Sequence, residues 1–268
     1  MLPALLFRPI FEDDEPDAAR DAGFEVFPSR TQIPPGRAVL GRYSVLPYYR
    51  ELEEDLRHGG SKLLQSHKQH RYVADLANWV AHLEELTPTT WNRLQSVPPS
   101  EPGPFIVKGA TNSRKDRWRT HMFAPDRAAL DLVWQRAEED TFLEQQGLYV
   151  RRFEPLRVFL EGPSGQPITH EWRVFVAAGH IVDAGFYWSN YEEETRAQRA
   201  SELPPEARAL VEEVIRRVGD NAFFYTVDVA ERAGAGWIVI ELNDGQMAGL
   251  STIPADRFYR LLAERLGA

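Results

Sequence analysis

Apolar and polar residues alternate in two runs near the C-terminus, within FFYTVDVAERAGAGWIVIELNDGQMAGL (Phe223–Leu250). The runs flank a turn-like AGAG, Ala233–Gly236. Strand side chains alternate between two faces, so the pattern predicts a β-hairpin. With AGAG at its tip, Asp228 lies directly across from Glu241, and Asn243 falls on the same face two residues on. Val227, Val229, Ile240 and Leu242 make the opposite, core-facing side. Three oxygen-bearing side chains then converge above an apolar platform. A hard cation such as Mg²⁺ is bound by such a set; the other reading is an edge hairpin with one solvated polar face. If the acidic cluster is unpaired, removing one of its charges should raise stability in the absence of ligand.

A second hairpin is predicted where THEWRVFV (Thr169–Val176) passes through a tight turn at Ala177–His180 into Ile181–Trp188. Glu171, Arg173 and Phe175 share one face, and Trp172, Val174 and Val176 the other. Further strands are expected at Phe105–Lys108, Leu148–Phe153 and Leu156–Glu161, with Trp118–Phe123 extended. Helices are expected at Pro125–Gln145, Glu206–Val218 and Pro254–Leu266, and a mobile polar loop at Ser189–Leu203. In the N-terminal third, Ala4–Arg8, Gly23–Phe27 and Arg37–Leu40 read as strands, the last ending at Gly41, Arg42 and Ser44. The acidic EDDEPD (Glu12–Asp17) reads as a solvated loop or helix start. Leu46–His58 is helical, closed by Gly59 and Gly60. Ser66 caps a helix over Lys68–Leu86 that carries Tyr72, Leu76, Trp79, Val80 and Leu83 at helical spacing. Residues 1–86 thus form a small α/β lobe. Residues 87–104, rich in Pro, Ser and Thr, read as a linker, and 105–268 as a second, mixed region.

Composition narrows the classes. Among the 268 residues there is no cysteine, which excludes disulfides, thiol nucleophiles and Cys-based zinc sites. A net charge of −9 argues against coating nucleic acid by bulk charge. No apolar run is long enough for a membrane span, and the start lacks the basic region of a signal peptide. A cytoplasmic protein without membrane partners is expected.

Lys108 closes a strand and precedes a polar loop holding Arg114, Lys115, Arg117 and Arg119. Such a loop is either a polyphosphate clamp that closes over its ligand or a solvated basic tip. Arg42, at a strand-to-helix junction, is either an anion contact or a surface arginine. His67 and His70 stand at i, i+3 without a third metal ligand, so exposed histidines are expected.

In order along the chain come FIVKG around Lys108, the basic loop, LYVRRFEP, EWRVFV around Arg173, and VDVAERAGAGWIVIELND. Together they resemble the ATP-grasp superfamily over Phe105–Leu250, most nearly the clade of small members named for two arginines and a lysine. The Glu-x-Asn ending paired with an upstream Asp is the most specific part. The resemblance implies an α/β (α+β) ATP-grasp fold, in which a small N-terminal lobe precedes two mixed subdomains enclosing the nucleotide. It implies ATP and Mg²⁺, with Lys108 on the α- and β-phosphates and the basic loop, Lys115 included, as a lid. Val150, Arg151, Arg152 and Phe153 would form the adenine hinge through backbone groups. Relatives often carry an acidic ribose-binding residue there; this chain has two arginines, with Glu154 slightly later. Arg173 would face the γ-phosphate or the acyl phosphate, making Arg173 and Lys108 the catalytic pair. Asp228, Glu241 and Asn243 would hold Mg²⁺. A second lysine from the earlier lobe is usual, here Lys68 or Lys62. The implied activity is an ATP-dependent carboxylate–amine ligase working through an acyl phosphate, with a peptide or protein end among the candidate substrates. Glu171 or His170 would serve as base toward the amine. Arg42, Tyr43, His170, Tyr187 and Asn190 are candidates for the acceptor cleft. The alternatives are an ATP-grasp kinase acting on a hydroxyl, and a nucleotide-binding regulatory protein without turnover.

Overall fold

The computed structural model describes residues 1–7, 14–43 and 49–267. Arg8, Glu12, Asp13, Ser44 and Leu46, named in the strand and helix expectations above, lie outside the described residues.

The N-terminal lobe is built on a parallel sheet. Its elements are β1 (Ala4–Phe7), α1 (Glu15–Asp21), β2 (Val26–Phe27), β3 (Ala38–Arg42), α2 (Tyr49–His58) and β4 (Lys62–Leu63), with strand order β2-β1-β3-β4. All of β1 is buried, as its uninterrupted apolar run requires of a parallel strand covered on both faces.

The long helix expected over Lys68–Leu86 is broken. It divides into α3 (His67–Ala74), α4 (Leu76–Trp79) and a 3₁₀ stretch, Val80–Leu86. Asp75 causes the break: its backbone is extended, and its carboxylate accepts from the Ala77 N–H to start α4 afresh. Ser66 caps α3 with a full capping box through Gln69.

Residues 87–104 do more than join lobes. They supply β5 (Thr90–Trp91), which pairs with Arg151 and Val150, and they bury Val97 in the same apolar cluster as Phe105 and Val150. The central sheet has order β5-β8-β6-β7, from β5, β6 (Phe105–Gly109), β7 (Phe123–Ala124) and, after helix α5 (Arg127–Glu138), β8 (Leu148–Arg152). Trp118–Met122 is a π-helical turn and not extended. The turn puts Trp118 and Met122 on one side, where both line the cleft described below. Helix α5 is shorter than expected, because Asp140 ends the segment by accepting from Phe142 N–H.

A small hairpin, β9 (Val158–Glu161) with β10 (Pro167–Thr169), leads into the third sheet. Thr169–Val176 is therefore not one strand. It is interrupted at His170, between β10 and β11 (Glu171–Ala177). The third sheet has order β12-β11-β13-β14 and is antiparallel throughout: β11, β12 (His180–Phe186), β13 (Phe224–Glu231) and β14 (Trp237–Asp244). The β11–β12 turn uses Ala178 and Gly179, both at positive φ, as a two-residue turn between right-twisted strands demands. Between β12 and β13, the segment expected as a mobile loop holds α6 (Glu192–Thr195), with Thr195 fully buried, and is followed by α7 (Pro205–Val218). Helix α7 covers one face of the sheet over Trp172, Val174, Val227 and Val229. At the end, α8 (Ala255–Gly267) packs its Phe258 and Tyr259 with Leu5 and Leu40 of the N-terminal lobe. The first and third lobes thereby share a core. No described helix is long and apolar enough to cross a membrane.

Candidate active site

The central and third sheets face each other across a cleft of about 310 Å³. Its apolar lining includes Ile106, Trp118, Met122, Phe153, Leu156 and Ile240. Its charged lining includes Lys108, Lys115, Glu171 and Glu241.

The hairpin register is as the alternation requires: Asp228 pairs with Glu241, and Asn243 follows on the same face. One expected core residue lies elsewhere. The register shifts between Asp228 and Val229, so that Val229 pairs with Val239. This β-bulge gives β14 one extra residue. Val239 takes the core position, and Ile240 turns into the cleft beside Glu241.

Each carboxylate here meets a cation. Arg173 grips Asp228 with two bonds, Nε to Oδ1 at 2.9 Å and Nη2 to Oδ2 at 2.8 Å. It does so because β11 and β13 place residues 173 and 228 directly opposite. Lys108, at the end of the central sheet, reaches across the cleft to the Glu241 carboxylate. Asn243 Nδ2 sits 3.3 Å from both Asp228 Oδ2 and Glu241 Oε2, so the three side chains share one point. Burial works to raise the Glu241 carboxyl, but Lys108 and Lys115 outweigh it and hold it down at about 2. Burial likewise opposes the charge on Arg173, and the Asp228 carboxylate more than restores it. The cluster is thus neutralised from within, so removing one of its acids leaves a cation unpaired and is expected to lower stability.

The basic loop divides by role. Lys115 turns inward, donating to the Tyr187 hydroxyl at 2.7 Å and lying 4.9 Å from the Trp188 ring. Burial penalises its charge, but Tyr187, Glu171 and Glu241 together raise it above the ordinary lysine value. Arg114 and Arg117 turn back to the buried Asp140, at 3.0 and 3.2 Å. Arg119 reaches over to Glu161 on the β9–β10 hairpin.

Arg151 and Arg152 both line the cleft, and both guanidinium groups are bonded to protein partners. Arg151 commits Nη2 to Thr87 Oγ1 (2.6 Å) and Nη1 to the Ile240 carbonyl (2.7 Å). Burial brings it down to about 10, against Glu241 and Glu154. Arg152 pairs outward with Glu101. Glu154 lines the cleft, 3.6 Å from Arg232.

Lys68 is not brought to this site. With Lys62 it lines a second cavity, bounded by Arg57, Gln69 and Asn221. Arg42 is neither an anion contact nor a surface residue. It is fully buried, bonded to Glu15 (2.7 Å), Tyr259 (3.2 Å) and the Gly245 and Ala248 carbonyls (2.5 and 3.0 Å). It pins the turn that follows Asn243. His70, expected exposed, is buried as well.

Glu171 lines the same cleft as Lys115. It is 3% exposed, and Oε2 accepts from Thr169 Oγ1 at 3.2 Å, while Oε1 has no partner. Burial is the main cause that lifts its carboxyl to about 7, with Lys115 opposing and Asp228 assisting. The unfolded chain releases this proton near 4.5 and the folded chain near 7, so the native state holds the extra proton between those values. Stability therefore falls as pH rises through that window, by roughly 2–4 kcal/mol from this group. Glu171→Gln should remove that slope, as urea unfolding at pH 5 and pH 8 would measure.

The three proposed metal ligands are two carboxylates and one amide, a set of hard oxygen donors once the Asn243 amide is turned. They therefore fit a magnesium-type cation. No group of three or more His, Cys, Asp or Glu suited to a metal occurs among the described residues; the third donor here is an amide.

Comparison with known proteins bears on the fold. A RimK domain ATP-grasp protein from Sphaerobacter thermophilus superposes with a TM-score of 0.65 at 17% identity, covering 98% of this chain and 99% of that one. D-cycloserine synthetase DcsG gives 0.65 at 14%, covering 99% and 100%. The ATP-grasp ligase PsnB, complexed with its minimal precursor, gives 0.58 at 14%, covering 99% and 98%. At these identities the likeness is one of fold. Among curated proteins, none matches this chain in sequence. A family model for the ATP-grasp domain, the third family of the clade named for two arginines and a lysine, matches residues 95–262. That segment holds the Lys108 strand, the basic loop, the Val150–Phe153 strand end and the whole acidic hairpin, and the chain belongs to this ATP-grasp family.

Proposed function

We propose that this protein is an ATP-dependent ligase that joins a carboxylate to an amine through an acyl phosphate. One observation carries the reading: Lys108 and Lys115 line an otherwise largely apolar cleft together with Glu241, whose carboxylate Lys108 meets, and Asn243 joins Glu241 to the Arg173–Asp228 pair. The slot between Ile106, Trp118 and Ile240 suits an adenine ring. Arg151, Arg152 and Phe153 line the same cleft, and Glu154 beside them is the acidic candidate for a ribose contact.

Asp228, Glu241 and Asn243 would hold Mg²⁺, which when bound supplies positive charge against the phosphate oxygens. Lys108 and Arg173 must release their internal carboxylate partners to take up the same task. A carboxylate attacking the γ-phosphate is repelled by it, and preorganised cations offset that repulsion. The lid, held at Tyr187 by Lys115 and at Glu161 by Arg119, would keep water from the acyl phosphate.

A peptide end belongs among the substrates to be tried, since PsnB, alike in fold, is known in complex with its precursor peptide. The test is ADP release from Mg-ATP against pooled amino acids, peptides and other carboxylates. Amide product with free phosphate supports the ligase reading. A stable phosphoester would assign a kinase instead, and ATP binding without ADP would assign a regulatory role.

A further inference from the structure

We propose that Asp140 is a positioning residue for nucleotide binding: by drawing Arg114 and Arg117 to the back of the basic loop, it presents Lys115, which lies between them, to the cleft. This rests on the reading above, in which the cleft takes Mg-ATP.

The loop folds in two tight turns. Lys115–Arg117 is a 3₁₀ turn, closed by the Arg117 N–H on the Arg114 carbonyl at 2.8 Å, and the π-helical turn Trp118–Met122 follows. A 3₁₀ turn has three residues per turn, so residues three apart project the same way. Arg114 and Arg117 therefore share one side, and Lys115 and Trp118 another. The surroundings divide in the same manner: Lys115 and Trp118 line the cleft, and Arg114 and Arg117 do not.

Asp140 receives the outer side. Its Oδ2 accepts from Arg114 Nε at 3.0 Å and from Arg117 Nη1 at 3.2 Å, and His121 Nε2 lies 3.8 Å from the same oxygen. The Arg114 guanidinium also lies 5.4 Å from the centre of the Phe142 ring. Asp140 is itself held in place. Its side chain is 2% exposed, and Oδ1 accepts from the Phe142 N–H at 2.9 Å. Its carbonyl accepts from the N–H groups of Leu143 and Glu144, and Leu143 is buried in one apolar cluster with Phe105 and Val150. Asp116 lies 3.5 Å from Arg114 as well, but it is exposed, and water competes for it.

The inner side has partners of its own. Lys115 donates to the Tyr187 hydroxyl at 2.7 Å and stands 4.2 Å from the centre of that ring. The Arg173 guanidinium lies 4.8 Å from the same ring centre. Tyr187 thus joins Lys115 to the cation that grips Asp228.

Without the Asp140 carboxylate, Arg114 and Arg117 lose the buried anion that holds them back, and the loop carrying Lys115 is free to turn. A lysine already held toward the cleft pays less ordering entropy on meeting phosphate than one on a loose loop. Asp140 does not line the cleft, so it acts on the nucleotide through Lys115.

A double-mutant cycle read by Mg-ATP binding separates this role from a general structural one. The full chain, Asp140→Asn, Lys115→Ala and the two combined would each be titrated with Mg-ATP by calorimetry, which needs no second substrate. Lys115→Ala should weaken binding by about tenfold or more, through loss of a charge-assisted bond to phosphate. Asp140→Asn should weaken it by about three- to tenfold, as part of that bond is lost to disorder. In the combined variant, binding should stay within about twofold of Lys115→Ala, since Asp140 then has nothing to position. Asp140→Asn leaves two arginines without their buried partner, so a second variant joins it with Arg114→Met and Arg117→Met, which removes those charges and should keep the fold. Its loss of affinity should likewise vanish once Lys115 is replaced. Wild-type affinity in both Asp140 variants, or losses that multiply when Lys115→Ala is added, would overturn the proposal. Wild-type protein that binds no Mg-ATP would instead refute the nucleotide reading, and the role of Asp140 with it.

Discussion

Asp228→Asn should lose Mg-ATP-dependent ADP release by about 10³-fold or more, since it removes a charge from the point where phosphate charge must be offset. It should also unfold more easily. Arg173 is left with a partly buried guanidinium and no carboxylate, because Asp228 supplies both of its side-chain partners and the Gly249 carbonyl, at 3.3 Å, remains. Breaking one side of a buried pair costs about 3–5 kcal/mol. Urea unfolding of the ligand-free protein would show this as a lower midpoint at unchanged slope. Asp228→Asn combined with Arg173→Met should recover stability without activity, since the unpaired charge is gone. An Asp228→Asn protein as stable as wild type would mean that the pair contributes nothing.

Lys108→Ala is the second large effect. Turnover should again fall by roughly 10³-fold, as a cation aimed at phosphate is removed. The stability change depends on pH, with a sign set by Glu241. Its carboxyl is held at about 2 in the folded chain against 4.5 unfolded. A lowered carboxyl contributes stability that is fully present above 4.5 and is lost as pH falls through 2. Lys108 is the larger of the two cationic causes of that lowering. The variant should therefore be destabilised at pH 7 by about 1–3 kcal/mol, and the gap to wild type should close as pH falls from 4.5 towards 2. A gap that stays constant over that range would show that Lys108 acts on stability through packing alone.

How much of this is legible in the chain differs by residue. The Asp228–Glu241 register follows from alternation about AGAG, because side-chain period and turn position together leave little freedom. The bulge that sends Ile240 into the cleft has no such signal. An inserted residue breaks the alternation only once, and Val239 and Ile240 are equally apolar. Arg42 reads as a surface or anion-binding residue because its partners are remote: Glu15 lies 27 residues away and Tyr259 217. The burial of His70 is hidden for the same reason, since Asp244 is 174 residues on. The lysines show the limit from the other side. Lys108 is fixed at a strand end and must project from the sheet edge, but nothing local tells whether Lys62 and Lys68 turn to the same cavity. They turn to another. The lid is readable as a cluster of cations, yet which of them faces inward is decided by Asp140, Glu161 and Tyr187, each on a different element.

The ligase account is tested most directly by following oxygen. The protein would be incubated with Mg-ATP, an amine, and the supporting carboxylate labelled with heavy oxygen at both positions, and the released phosphate examined by mass spectrometry. Passage through an acyl phosphate predicts one labelled oxygen in each phosphate formed, with the other retained in the amide. Phosphate without label, or a stable phosphoester in place of free phosphate, would contradict it.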